Sequence, residues 1–142
     1  MKNWMIAGSV IMLLSGCVQL TNYASAVKTP PPAALVGNWQ TFGPQSGLVS
    51  DEAIGSLLID AEGNTLDCRQ WQRVIAKPGK VSRIDGELVN VNQQLRVMPL
   101  KLEGNELHYD DLVMRKVNKP TLECQQAWQH SEAPANHAAV TP

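Results

Sequence analysis

Two-residue turn signals recur through the middle of the chain: Gly63-Asn64, Pro78-Gly79, Asp85-Gly86, Gly104-Asn105 and Asp110-Asp111. The segments between them are short and either alternate or run apolar, which is the rhythm of antiparallel hairpins. Strands are therefore expected near 36–42, 54–60, 65–76, 80–84, 87–92, 94–102, 106–109 and 112–117. Pro120 breaks the pattern, and Thr121 is a capping residue for a short helix. Leu122, Cys124, Gln125 and Trp128 would share one side of that helix, which would end the domain.

The start of the chain has a different organisation. Lys2 precedes an apolar stretch from Trp4 to Leu14, followed by the small residues Ser15 and Gly16, the three-part plan of a secretory signal peptide over 1–16. An apolar core of about eleven residues is too short to cross roughly 30 Å of hydrocarbon as a comfortable helix, so cleavage is expected. Leu14-Ser15-Gly16-Cys17 resembles the bacterial lipobox, whose cysteine is acylated and becomes the first mature residue; the competing reading is a chance cysteine beside an ordinary cleavage site. Cys17 is thus the expected lipidation site. The only cofactor implied is its covalent lipid: a diacylglycerol and an N-acyl chain such as palmitate. One acyl chain holds a protein only marginally to a membrane, whereas three hold it firmly. Val18 follows instead of the aspartate that favours inner-membrane retention. The expected address is therefore the periplasmic leaflet of the outer membrane.

Loss of Lys2 with the signal would leave 11 Lys and Arg against 13 Asp and Glu, a formal charge of −2. A scattered, slightly acidic charge set lacks the cationic footprint of a nucleic-acid binder. With Cys17 committed to lipid, Cys68 and Cys124 remain as a pair in an oxidising compartment, and a disulfide is expected between them. No metal site is expected, because neither these cysteines nor the three histidines show ligand spacing. Residues 17–36, with Pro30 to Pro32, read as a lipidated flexible spacer reaching up to roughly 55 Å if extended. Residues 37–129 read as one β-rich periplasmic domain, and 130–142, small and proline-punctuated, as a disordered tail.

Within the domain, Gly37-Asn38-Trp39 looks like the G-x-W signature of lipocalin-like barrels, in which the tryptophan plugs one end. It favours a small antiparallel barrel or half-barrel over a flat sandwich. A tryptophan in an opening strand is also a common core residue. The segment 65–76 is the most distinctive. Alternation sends Leu66, Cys68, Gln70, Gln72 and Val74 one way, and Asp67, Arg69, Trp71, Arg73 and Ile75 the other. Tryptophan flanked by arginines combines apolar area, cation–π contact and charged donors, as binding hot spots do. The competing reading packs Trp71 into the barrel under arginine stems. Cys68 on an outside face under the helix would reverse the choice of inner face.

Catalytic sets are missing by this reading. His108 and Tyr109 alternate to opposite faces, and Asp110-Asp111 reads as a turn. Asp51 and Glu52 read as a loop or helix start, and the serines lack a nucleophile-elbow context. No enzyme is expected.

Three stretches resemble the YedD-like family of envelope lipoproteins: VKTP at 27–30, GNWQTFGPQSGLVSDEAIGSLLIDAEGNTLDCRQWQRVIAKPGK at 37–80, and the P-T-x-E-C ending at 120–124. The resemblance implies an envelope lipoprotein without transferable catalytic residues, and it supports Cys17 as lipid site and Cys68 with Cys124 as a pair. The expected function is a tethered, non-enzymatic binding or regulatory module. Its partner would be a periplasmic or envelope protein, for example one acting on peptidoglycan, bound through Trp39, Arg69, Trp71, Arg73 or the 43–50 loop. The alternative is a lipocalin-like carrier of a small apolar ligand or lipid, which needs an open apolar cavity.

Overall fold

The computed structural model describes residues 22–139, side chains included as far as Ser131. The signal peptide, Cys17 and the last three residues lie outside the described residues. Nine strands follow one another: β1 (Gly37–Thr41), β2 (Ile54–Ile59), β3 (Asn64–Trp71), β4 (Arg73–Ile84), β5 (Glu87–Asn92), β6 (Val97–Pro99), β7 (Lys101–Glu103), β8 (Glu106–Tyr109) and β9 (Leu112–Val117). They form one antiparallel sheet in the order β6-β5-β4-β3-β2-β1-β9-β8-β7. β6 and β7, joined by Leu100 alone, therefore lie at opposite ends of that order. A connection so short forces the sheet to curl until β6 meets β8, and the result is a nearly closed barrel.

Local chemistry explains most of the turns. Asp85 and Gly86 have φ of 51° and 80°, and Asp110 and Asp111 have φ of 48° and 59°. Both pairs thus supply the two positive-φ positions of a two-residue hairpin loop. Around β3 and β4 the structure departs from the expected elements in two places. The strand expected over 65–76 is a hairpin that reverses at Gln72, φ 62°, and Pro78-Gly79 is no turn but lies inside β4. Gly79 is needed there because a Cβ would come within 2.8 Å of Asn90 Oδ1 and Thr65 Oγ1, so the barrel interior excludes any side chain. Pro78 sits where β4 pairs with β3 but not yet with β5, so its missing N–H leaves only one ladder to satisfy. The expected strand over 94–102 is likewise divided, into β6 and β7.

The hairpin at Gln72 preserves the two faces expected from simple alternation. Its pairing is symmetrical about one residue, with Arg69 opposite Ile75 and Trp71 opposite Arg73, so odd positions stay on one face through the reversal. That face points into the barrel. Leu35, Trp39, Leu57, Ile59, Val81, Met98, Leu107, Tyr109, Leu112 and Met114 fill the interior. Outside, helix α1 (Leu122–Ala139) covers Leu58, Leu66 and Cys68 with Cys124, Ala127 and Trp128. β2 therefore reads as the continuous apolar run Leu57-Leu58-Ile59 because both its faces are buried.

Thr121 caps α1, its Oγ1 accepting from the Cys124 N–H at 3.3 Å. Cys124 and Trp128 face the sheet, as expected, but Leu122 is 65% exposed and takes no part in that face. Cys68 and Cys124 form a disulfide with Cα atoms 6.0 Å apart, which fastens the helix to β3. The helix continues beyond Gln129 into the stretch expected to be a tail.

The spacer expectation also changes from Asn22 onward. Asn22 caps a 3-10 turn at Tyr23–Ser25, Ala26 packs with Val89 and Val91, and the Thr29 N–H donates to Val81 O at 2.8 Å. Leu35 then enters the barrel core. Isolated apolar residues in a proline-rich run thus hold this segment on the barrel instead of leaving it free.

Candidate functional site

The turns at 59–64, 84–87 and 103–106 lie at one end of the barrel, where Leu35 and Trp39 close the interior. Trp39 is 2% exposed, and its Nε1–H donates to Leu35 O at 2.8 Å. It is a plug, as the G-x-W pattern implies, and offers a partner nothing; its place among the binding candidates is withdrawn. The other end is the mouth, ringed by the 42–53 loop, the β3–β4 tip, the 92–97 turn and the Asp110-Asp111 turn.

At the mouth lies a half-open cavity of about 590 Å³. Leu48, Val49, Ala53, Ile54, Trp71 and Ile75 give it apolar walls, and Arg69, Arg73, Lys77 and Arg96 give it cations. The structure thus brings together Arg69, Trp71, Arg73 and the 43–50 loop. Trp71 and Ile75 are each 41% exposed. The loop is pinned by Gln45, whose side-chain amide donates to Val113 O at 2.7 Å and accepts from the Val113 N–H at 2.8 Å.

The cavity floor is a buried polar chain that begins deep in the barrel. Thr65 Oγ1 donates to Asn90 Oδ1 at 2.6 Å, Asn90 Nδ2 donates to the Tyr109 hydroxyl at 3.0 Å, and that hydroxyl donates to Asp67 Oδ2 at 2.7 Å. Asp67 also accepts from Arg69 Nε at 2.8 Å. Arg69 Nη2 reaches Asp110 at 3.0 Å, and Asp110 holds Arg96 as well. Burial, then the Asp67 charge and hydrogen bond, push the Tyr109 phenol well above its ordinary range. Burial pulls the Arg69 guanidinium down, but its bonds to Asp67 and Asp110 outweigh this and raise it. Both groups thus keep their protons. Asp67 is engaged on both oxygens, by Arg69 and by the Tyr109 hydroxyl.

Beside the mouth, a second cleft of about 760 Å³ follows the seam between β6 and β8. It shares Gly47, Arg96 and Asp110 with the cavity, so the Arg96–Asp110 pair stands as a partition between the two.

Reading the residues in order missed Asp67, Tyr109, Asn90, Arg96 and Asp110 as one unit. Tyr109 lies 42 positions from Asp67, and local pattern carries no signal of that pairing. Parity alone placed Asp67 on the face of Arg69. His108 and Glu103 pair on the outside at 3.2 Å, away from the cavity.

A nearly closed antiparallel barrel with a tryptophan plug, a filled interior and an open mouth defines a small lipocalin-like protein. The chain belongs to the YedD family: the family model described as "Bacterial lipocalin LPS transport optimiser YedD" matches residues 20–128. It is 48% identical over 134 residues to the "Uncharacterized lipoprotein YedD" of Escherichia coli K12, covering 94% of this chain and 97% of the relative. The protein of the same description from Salmonella typhimurium LT2 is 46% identical over 142 residues, the full length of both. Among solved structures, the lipoprotein YedD from Klebsiella pneumoniae superposes with a TM-score of 0.77 at 48% identity, covering 79% of this chain and 96% of that one.

Proposed function

We propose that this chain is a non-enzymatic, lipid-anchored envelope module that supports lipopolysaccharide transport by binding through the mouth of its barrel. The observation that carries this reading is the convergence of Arg69, Trp71 and Arg73 on the open end of a barrel whose interior and opposite end are filled. The family's description supplies the setting and moves it from peptidoglycan to lipopolysaccharide. The names of the relatives support the anchor, which we assign to Cys17 at the periplasmic leaflet of the outer membrane. The five links from Cys17 to Asn22 span at most roughly 17 Å. Because the chain packs on the barrel from Asn22, the tether is short and the barrel works close to the membrane.

The rim, formed by Trp71, Arg73 and the 43–50 loop, is the surface offered to an envelope protein of the transport route. Affinity capture from crosslinked cells tests it: the Trp71→Ala, Arg73→Ala variant should lose a transport protein that the unaltered chain retains. An identical partner set would remove the rim from the account. A deep-calyx carrier is disfavoured because Leu57, Met114, Tyr109 and their neighbours occupy the interior; a ligand would have to sit in the mouth itself.

A further inference from the structure

We propose that the mouth cavity binds one acidic amphiphile, a molecule that joins a phosphate or similar anionic head to an alkyl portion. This rests on the reading that the mouth is the working end, and it names the occupant. The lining holds four cations, Arg69, Arg73, Lys77 and Arg96, against the two carboxylates Asp67 and Asp110, a net charge of +2. Those carboxylates are engaged by Arg69 and Arg96, whereas among the described residues Arg73 and Lys77 have no ion-pair partner. Cross-strand register puts both on the inward face, Arg73 opposite Trp71 and Lys77 opposite Asp67. A free guanidinium takes a phosphate with two parallel hydrogen bonds, and a lysine adds a mobile point charge.

The rest of the wall suits a chain, not an ion. Trp71, Ile75 and Val49, the last 78% exposed, flank the same cations, and large apolar side chains left open at a concave site gain by being covered. A free anion would leave that wall wet, and a neutral alkyl compound would leave Arg73 and Lys77 without a counter-charge. The Asp67–Tyr109 floor stops the ligand from descending into the barrel. The alkyl portion therefore runs outward along the Trp71–Ile75 wall, with the head against Arg73 and Lys77. At about 590 Å³ the cavity is the size of a small-molecule site.

The test uses the mature chain from position 17 carrying Cys17→Ser, without the apolar signal segment, so that no bilayer or detergent competes, and isothermal titration with three probes: dodecyl phosphate below its micelle concentration, dodecyl maltoside, and inorganic phosphate. Dodecyl phosphate should bind one per chain, at least tenfold tighter than the maltoside, and inorganic phosphate should give no heat. Arg73→Ala with Lys77→Ala should weaken dodecyl phosphate tenfold or more and leave the maltoside unchanged, whereas Ile75→Glu should weaken both alkyl probes. These residues are exposed, and an unchanged melting temperature will confirm that the variants fold. Equal binding of the two alkyl probes, binding of inorganic phosphate as tight as dodecyl phosphate, or no binding by the unaltered chain would each overturn the proposal. If dodecyl phosphate fails to bind while Trp71→Ala, Arg73→Ala still loses its captured partner, the amphiphile falls and the mouth stands; if both fail, the mouth is not the working end.

Discussion

The two faces of β3 solve opposite problems with adjacent residues. Outward, Leu66 and Cys68 lie in an apolar seam under α1, closed by a covalent bond to Cys124. Inward, Thr65, Asp67 and Arg69 belong to a chain of hydrogen bonds and ion pairs that ends at the mouth. The outer face tolerates approximation, because apolar packing has no direction. The inner face does not, since each buried polar group depends on a partner held by another strand. At β3 the barrel is sealed outside by packing and ordered inside by polarity, and its binding residues stand on the ordered side.

The contrast predicts a ranked set of outcomes. Asp67→Ala should be the most damaging, because it leaves Arg69 and Tyr109 without their buried acceptor; loss of one partner from such a pair costs about 3–5 kcal/mol, measurable as a lower urea midpoint. Removing the outer clamp with Cys68→Ser and Cys124→Ser should cost somewhat less, roughly 4 kcal/mol at most for a loop of this length. The mouth network should survive it, so binding at the mouth should persist in the disulfide-free protein under conditions where it remains folded. Ser56→Ala should have the smallest effect and the opposite sign. Ser56 Oγ is buried without a hydrogen-bond partner among the described residues, so its removal should be neutral or should stabilise by up to about 1 kcal/mol. A loss of stability there would mean that the outer face is less purely apolar than its packing indicates.

How far such a molecule can be read from residues depends on the range of the interactions. Asp85-Gly86 and Asp110-Asp111 announce their turns because positive φ is a local demand that few residue types meet. Thr121 announces its helix for the same reason, through a cap three residues long. The reversal at Gln72 is silent, since glutamine is not a turn residue and the tip is set by ladder pairing on either side. Pro78-Gly79 misleads, because the glycine serves a close approach to Thr65 and Asn90 that arises only once β4 lies paired between β3 and β5. Half of the site was legible in the same sense. Arg69, Trp71 and Arg73 stand out as a cluster on one strand, whereas Arg96 and Asp110 join them only after the sheet has curled. Trp39 carried the right motif and the wrong role: the G-x-W pattern marks a plug, and a plug is buried. Ala26 and Leu35 gave no signal, since single apolar residues beside prolines look like linker until something is found beneath them.

The central claim, that the mouth and not the helix-covered face is the working surface, is tested most directly by photo-crosslinking in living cells. A photoreactive residue is placed either at Trp71, on the rim, or at Glu123, exposed on α1. Specific adducts are expected from position 71 and none above background from position 123. Adducts from 123 alone, or equally from both, would contradict the claim.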